Sequence, residues 1–303
     1  VALELIAAGT LDGVALARAP VAGVVWHAGT LLRVDEGRVI WALPADPPDA
    51  LAVDGRRLYL AFGASLGCVD LLTGALVWTQ DLRAAARALA ARPDGVDVVT
   101  EDGVLPFDRF GRPGDRFGEG LQIHAVRAVG AMRYVGGPAG VWRLAPDARP
   151  VLLTTQPCLS LHVRGGALQA LTHGDAGTAL LEDAGLPLVW SFPDAPAHWL
   201  EPWGDADWAV VPRGGPAGAW VVDRRLRPRW RVRMPGTTTG AAVAGRAVAV
   251  LLEDEGSVLA LAHPAAPDPV LLAVDPHATL YGDGDCLYLS HPGRTDVLLV
   301  RED

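Results

Sequence analysis

The chain contains neither lysine nor asparagine, and all 26 of its basic residues are arginine. No amine is therefore available for a Schiff base or a lysine phosphate clamp, and no asparagine can ligate a metal or carry an N-glycan. Both missing residues have AT-rich codons, so the gap fits a GC-rich bacterial genome. Cys68, Cys158 and Cys286 are odd in number, far apart and without C-x-x-C spacing, which argues against a disulfide framework and a thiolate zinc site. No apolar run approaches the roughly 18 residues of a membrane span. There is no P-loop and no H-E-x-x-H. The formal charge of −9 opposes contact with a phosphate backbone, so nucleic acid is disfavoured as a partner. Val1 to Gly9 carry no basic residue ahead of an apolar run. A cytoplasmic location is expected, or a periplasmic or secreted one if a leader was removed before Val1.

What is present is a repeat. Ala50 to Leu82 reads as four short apolar or alternating runs, A-L-A-V-D-G, R-L-Y-L-A-F-G, L-G-C-V-D-L-L-T-G and A-L-V-W-T-Q-D-L, each closed by a turn signal. Four such strands make an antiparallel meander. The pattern recurs with first strands starting near Asp12, Asp49, Arg87, Gln122, Cys158, Ala197, Thr239 and His277, at spacings of 35 to 42 residues. A glycine separates the first two strands in most copies: Gly55, Gly95, Gly130, Gly166, Gly204, Gly245 and Gly284. Helical periodicity is nearly absent; Leu82 to Ala91 reads as a loop into the third unit. The unit from His277 holds only three strands, and the strand Ala2 to Ala7 is left over at the other end. Pairing them would remove an exposed sheet edge. The expected fold is all-β: one closed β-propeller over residues 1–303 with eight four-stranded blades, closed by 2–7 with 277–303. Seven blades is the alternative if the third or sixth unit is misread.

Asp70-Leu-Leu-Thr-Gly74-Ala-Leu-Val-Trp78 resembles the D-x-x-T-G-x-x-x-W signature of PQQ-like, or tryptophan-docking, propeller repeats. Partial copies stand at Gly37-Arg-Val-Ile-Trp41, Leu188-Val-Trp190 and Arg229-Trp230. The resemblance implies that Thr-Gly turns the chain between third and fourth strands and that Trp41, Trp78, Trp190 and Trp230 pack between blades. It implies no activity, because one blade type serves many functions. The family's dehydrogenases use an asparagine beside Ca²⁺, some with a disulfide of adjacent cysteines. This chain has neither and is about half their length, so no catalytic residue and no cofactor carry over. The non-enzymatic, BamB-like branch is the nearer comparison.

Two constellations remain. His27, His173 and His291 end second strands, while His124, His198 and His277 begin first strands, which places six of the eight histidines on the channel-mouth face. Asp175 and Glu201 lie in neighbouring loops. Imidazoles there could serve a metal-dependent hydrolase or lyase, but six blades cannot converge and no H-x-H spacing occurs; no metal ligand is assigned. The other is Arg224, Arg225, Arg227, Arg229, Arg231 and Arg233, six arginines within ten residues. Alternation puts Arg229, Arg231 and Arg233 on one face of an outer strand, with Trp230 and Val232 opposite. Such a strand is an edge guarded by charge or a dock for an acidic partner. Trp199, Trp203, Trp208 and Trp220 crowd the same unit, and Trp203, in a turn-like segment, has the character of an interface anchor. The function expected is a non-catalytic scaffold for another protein with an acidic surface.

Overall fold

A computed structural model of the chain describes residues 3–302 apart from 14–15, 17–19, 36–37, 146–148, 165–166, 175–176, 183–186, 189–197, 205–206, 213–215, 224–226, 254–256 and 267. Arg224, Arg225, Asp175, Gly166, Trp190 and the expected start at Ala197 lie outside the described residues. Every strand pair is antiparallel, and the described residues contain no helix, hence none long and apolar enough to cross a membrane. Two compact units emerge, Ala45–Ser191 and Val1–Pro44 with Phe192–Asp303.

The Ala45–Ser191 unit holds four meanders. The first runs through Ala50–Asp54, Arg57–Phe62, Ser65–Asp70 and Leu76–Asp81. Ala88–Arg92, Gly95–Thr100 and Gly103–Asp108 form a three-stranded sheet. In place of a fourth strand, its edge is met by the irregular segment around Pro113 and Phe117, which bridges to Phe107 and Val104. Two four-stranded sheets follow, over Ala125–Thr154 and Cys158–Leu188. Successive sheets stack face to face. Tyr59, Leu66 and Cys68 meet Leu89, Val96 and Phe107; Val99 and Val104 meet Val126 and Val135; Tyr134 and Val141 meet Leu161 and Leu168.

Stacking explains the sequence pattern. Inner strands covered on both faces are buried along their length, as in Gly95–Thr100, and so read as mostly apolar runs, here interrupted by Asp97. The outer strand Leu76–Asp81 keeps one face in water and alternates. The turn glycines Gly55, Gly130, Gly204, Gly245 and Gly284 all take φ between 54° and 61°, the left-handed conformation a tight hairpin demands.

In the other unit, Val24–His27, Thr30–Asp35 and Arg38–Pro44 form one sheet. A second is composed of both chain ends: Thr279–Asp283, Cys286–His291, Arg294–Glu302 and, on its edge, Leu3–Asp12. The terminal pairing runs from Leu3 opposite Glu302 to Asp12 opposite Arg294, with one bulge between Ala7 and Gly9. This strand is longer than the expected 2–7. Asp12 therefore ends it rather than opening the first unit, of which three strands are described. Leu11 and Val297 of the terminal sheet pack on Val25 and Val34 of the 24–44 sheet.

A further boundary differs from expectation. Thr239 does not begin a separate strand, because Pro228–Ala244 is continuous and links seven strands into one sheet from His198 to Ala273. Its first half pairs with Pro216–Val222 and its second with Ala247–Glu253, Thr237 changing partner from Pro216 to Glu253. The Pro235-Gly236 pair reads as a turn in sequence. Here Gly236 takes φ +81 and bends the strand without ending it.

Candidate interaction surfaces

The family-type turn is built as its residues demand. Asp70 Oδ1 accepts the amides of Leu72 and Thr73 at 3.0 Å and the Thr73 hydroxyl at 3.1 Å, while Thr73 Oγ1 accepts the Ala75 amide at 3.3 Å. Gly74 closes the turn at φ +72. Arg56 Nε lies 2.6 Å from Asp70 Oδ2. A desolvation penalty is outweighed by Arg56, Thr73 and Leu72, which hold the Asp70 carboxyl below its ordinary range. A carboxylate also accepts backbone amides after two other third strands. Asp108 Oδ1 accepts the amides of Phe110 at 2.8 Å and Arg112 at 2.9 Å, and Asp223 Oδ1 accepts that of Arg227 at 3.0 Å. An Asp closing each third strand was the available signal for both.

Trp78 does what the motif implies. Its indole N–H donates to the Arg109 carbonyl of the next sheet at 3.1 Å, and its ring stacks on Phe107 at 6.5 Å. Trp41 and Trp230 are half-buried, Trp230 against Ala219 and Val221. Between the second and third sheets of the Ala45–Ser191 unit runs a charged clamp that sequence reading missed. Fully buried Asp97 lies 2.9 Å from Arg92 Nε and 2.6 Å from Arg133 Nε of the following sheet. Burial pushes the Asp97 carboxyl up against the pull of Arg133 and Arg92; desolvation of Arg92 is more than reversed by Asp97 and Asp94.

The arginine strand divides its residues by role. Arg229, Arg231 and Arg233 are exposed, and Trp230, Val232 and Met234 turn toward the core, as the alternation requires. Arg227 folds back on Asp223, its Nε 2.9 Å from Oδ2. Arg229 reaches Asp207 at 3.4 Å. Arg231 lies over the Trp220 ring, 5.1 Å from its centroid. Of the four tryptophans in this region, Trp208 is fully buried and Trp203 half-buried, its N–H donating to the Arg246 carbonyl at 3.0 Å. Nothing is described of the Trp199 side chain.

The described histidines stand in different local settings. His27 is half-buried at a strand end, and His124 is exposed. His291 is buried with Nε2 3.3 Å from Asp296 Oδ2. The His173 and His198 side chains fall outside the described residues. Exposed His277 lines a cavity of about 550 Å³ together with Glu201, Glu253, Ser257, Thr239 and Tyr281. Among the described residues no three His, Cys, Asp or Glu side chains assemble as metal donors. The Cys68 and Cys158 thiols are buried and pushed up to about 11 and about 12 by desolvation first of all, so neither is a thiolate nucleophile at neutral pH.

No protein-family model and no curated protein matches the sequence. Solved structures do. BamB from Moraxella catarrhalis aligns with a TM-score of 0.67 at 18% identity, over 100% of this chain and 99% of that one. The dihydro-heme d1 dehydrogenase NirN gives 0.65 at 15% identity, over 98% of this chain and 80% of that one. The β-propeller domain of Cps50 (Swd1) from Myceliophteria thermophila gives 0.56 at 10%, over 84% and 96%. At such identities the likeness shows the fold alone, a β-propeller.

Proposed function

We propose that the chain is a non-catalytic scaffold: one propeller of residues 1–303 with eight PQQ-like blades, closed by its N-terminal strand, that binds another protein. The observation carrying this reading is the exposed arginine face of Pro228–Met234 in a chain of net charge −9. A localised basic stripe on an acidic surface suits an acidic protein partner better than a nucleic acid, which needs a broad basic field. The partner surface comprises Arg224, Arg225, Arg227, Arg229, Arg231 and Arg233, together with Trp203.

BamB and the Cps50 (Swd1) propeller fit such a scaffold in architecture. The hydrolase or lyase reading is not favoured: of the histidines that motivated it, buried His291 is held by Asp296, and no three described His, Cys, Asp or Glu side chains assemble as metal donors. In-cell photo-crosslinking from position 229, followed by reconstitution with the purified captured protein, tests the proposal. A discrete acidic partner whose complex dissociates as salt rises is the expected result. Capture of nucleic acid, or no reconstitutable complex, would contradict it.

A further inference from the structure

The arginine stripe is not uniform, and its differences define a smaller site. Asp223 already occupies Arg227, and Asp207 occupies Arg229. Arg231 and Arg233 have no carboxylate partner among the described residues. Both line one cavity of about 360 Å³, together with Trp220, Gly218, Val232 and Met234.

Strand register explains the cavity. Arg231 stands directly opposite Trp220, whose ring supports the guanidinium, and Arg233 stands opposite Gly218. Gly218 lines the cavity beside Arg233. A Cβ there would lie 2.8 Å from the Val232 carbonyl, so close strand approach requires the glycine. The result is a pair of guanidinium groups over a partly apolar gap, one of them held in place before any ligand arrives.

We infer that Arg231 and Arg233 receive an extended acidic segment of a partner protein, with carboxylates at alternating positions. The proposal rests on the scaffold reading and names its partner's chemistry. Its geometric basis is periodicity. Alternate residues of a strand repeat at about 6.5–7 Å, for the arginines and for an extended acid-x-acid ligand alike. Each guanidinium can then take one carboxylate through paired N–H donors.

The test is a titration of the full chain, followed by the side-chain Nε–H resonances of its arginines. The probes are the peptide Ac-Glu-Val-Glu-Val-Glu-NH2, its isomer Ac-Val-Glu-Glu-Glu-Val-NH2, the Gln analogue of the first, and inorganic phosphate. The alternating peptide should shift Arg231 and Arg233 and bind less tightly as salt rises. R231Q and R233Q should each weaken it about tenfold, the loss of one charge-assisted contact. R231K should fall between, and R301Q, removing the same charge elsewhere, should change nothing.

Equal binding of the clustered isomer, the Gln analogue or phosphate would overturn the inference, as would silence of both resonances. A partner reconstituted on the arginine strand while Arg231 and Arg233 stay unshifted by the peptide would sink this inference and leave the scaffold reading. Peptide binding with no reconstitutable partner would do the reverse.

Discussion

Trp78, in the Ala45–Ser191 unit, and Trp203, in the other, end in the same contact: an indole N–H donated to a backbone carbonyl of the following meander, at Arg109 and at Arg246. The two reach it differently. Trp78 stands on an outer strand inside the D-x-x-T-G turn signature, whereas Trp203 ends the edge strand His198–Trp203 with no such motif around it. Their surroundings diverge further. In Ala45–Ser191, Asp97 fastens one sheet to the next through Arg92 and Arg133. In the other unit, the 228–273 strands meet the terminal sheet through Ala244, Leu259, Leu261, Leu280 and Leu287. Stacked meanders can thus be held by directional polar clamps or by shape-filling aliphatic contacts. Only the polar kind fixes sheet orientation through specific donors.

Breaking each kind should separate them. Asp97→Ala removes the buried carboxylate that joins Arg133 to Arg92, leaving Arg92 only Asp94, and should remove about 3–5 kcal/mol of stability, read by urea unfolding. Leu261→Ala, its aliphatic counterpart, should remove about 2–5 kcal/mol by opening a cavity. Trp78→Ala should lose about 3 kcal/mol. Gly111→Ala should loosen the same contact, because Gly111 sits at φ +82 and a Cβ there would lie 2.9 Å from the Trp78 ring.

The acid response sharpens the contrast. Arg112 and Phe110 amides, against a desolvation penalty, hold Asp108 below the ordinary carboxylate range, as Arg56 and Thr73 do for Asp70. A depressed folded-state pKa contributes stability that is full above the ordinary value, about pH 4, and lost as pH falls through the folded one. Asp70→Asn should therefore flatten the acid limb of stability against pH, and Leu261→Ala should leave its shape unchanged. The smallest effect belongs to the exposed surface: Arg233→Gln should change stability by no more than about 0.5 kcal/mol.

Legibility in the sequence follows from locality. The hairpin glycines, the D-x-x-T-G turn and the arginine alternation depend on neighbours in the chain, and all were legible there. The long strand Pro228–Ala244 was not, because Pro235-Gly236 carries a turn signal that hydrogen bonding on both sides overrides. Nor was the Asp97 clamp, whose partner Arg133 comes from another meander. Pairing Arg229 with Asp207 was hidden for the same reason: the two residues are distant in sequence and meet only through a three-strand register. Trp208 was one of four tryptophans crowded into one unit, and its complete burial was not legible from that crowding.

The proposed closure stands most directly on Leu3–Asp12 lying beside Arg294–Glu302. Amide hydrogen exchange followed peptide by peptide measures it. If the chain ends share one sheet, the amides of Leu3–Asp12 that donate to Arg294–Glu302 will exchange as slowly as those of Cys286–His291 and will open together with them in denaturant. Rapid exchange across Leu3–Asp12 with Cys286–His291 still protected would contradict the closure.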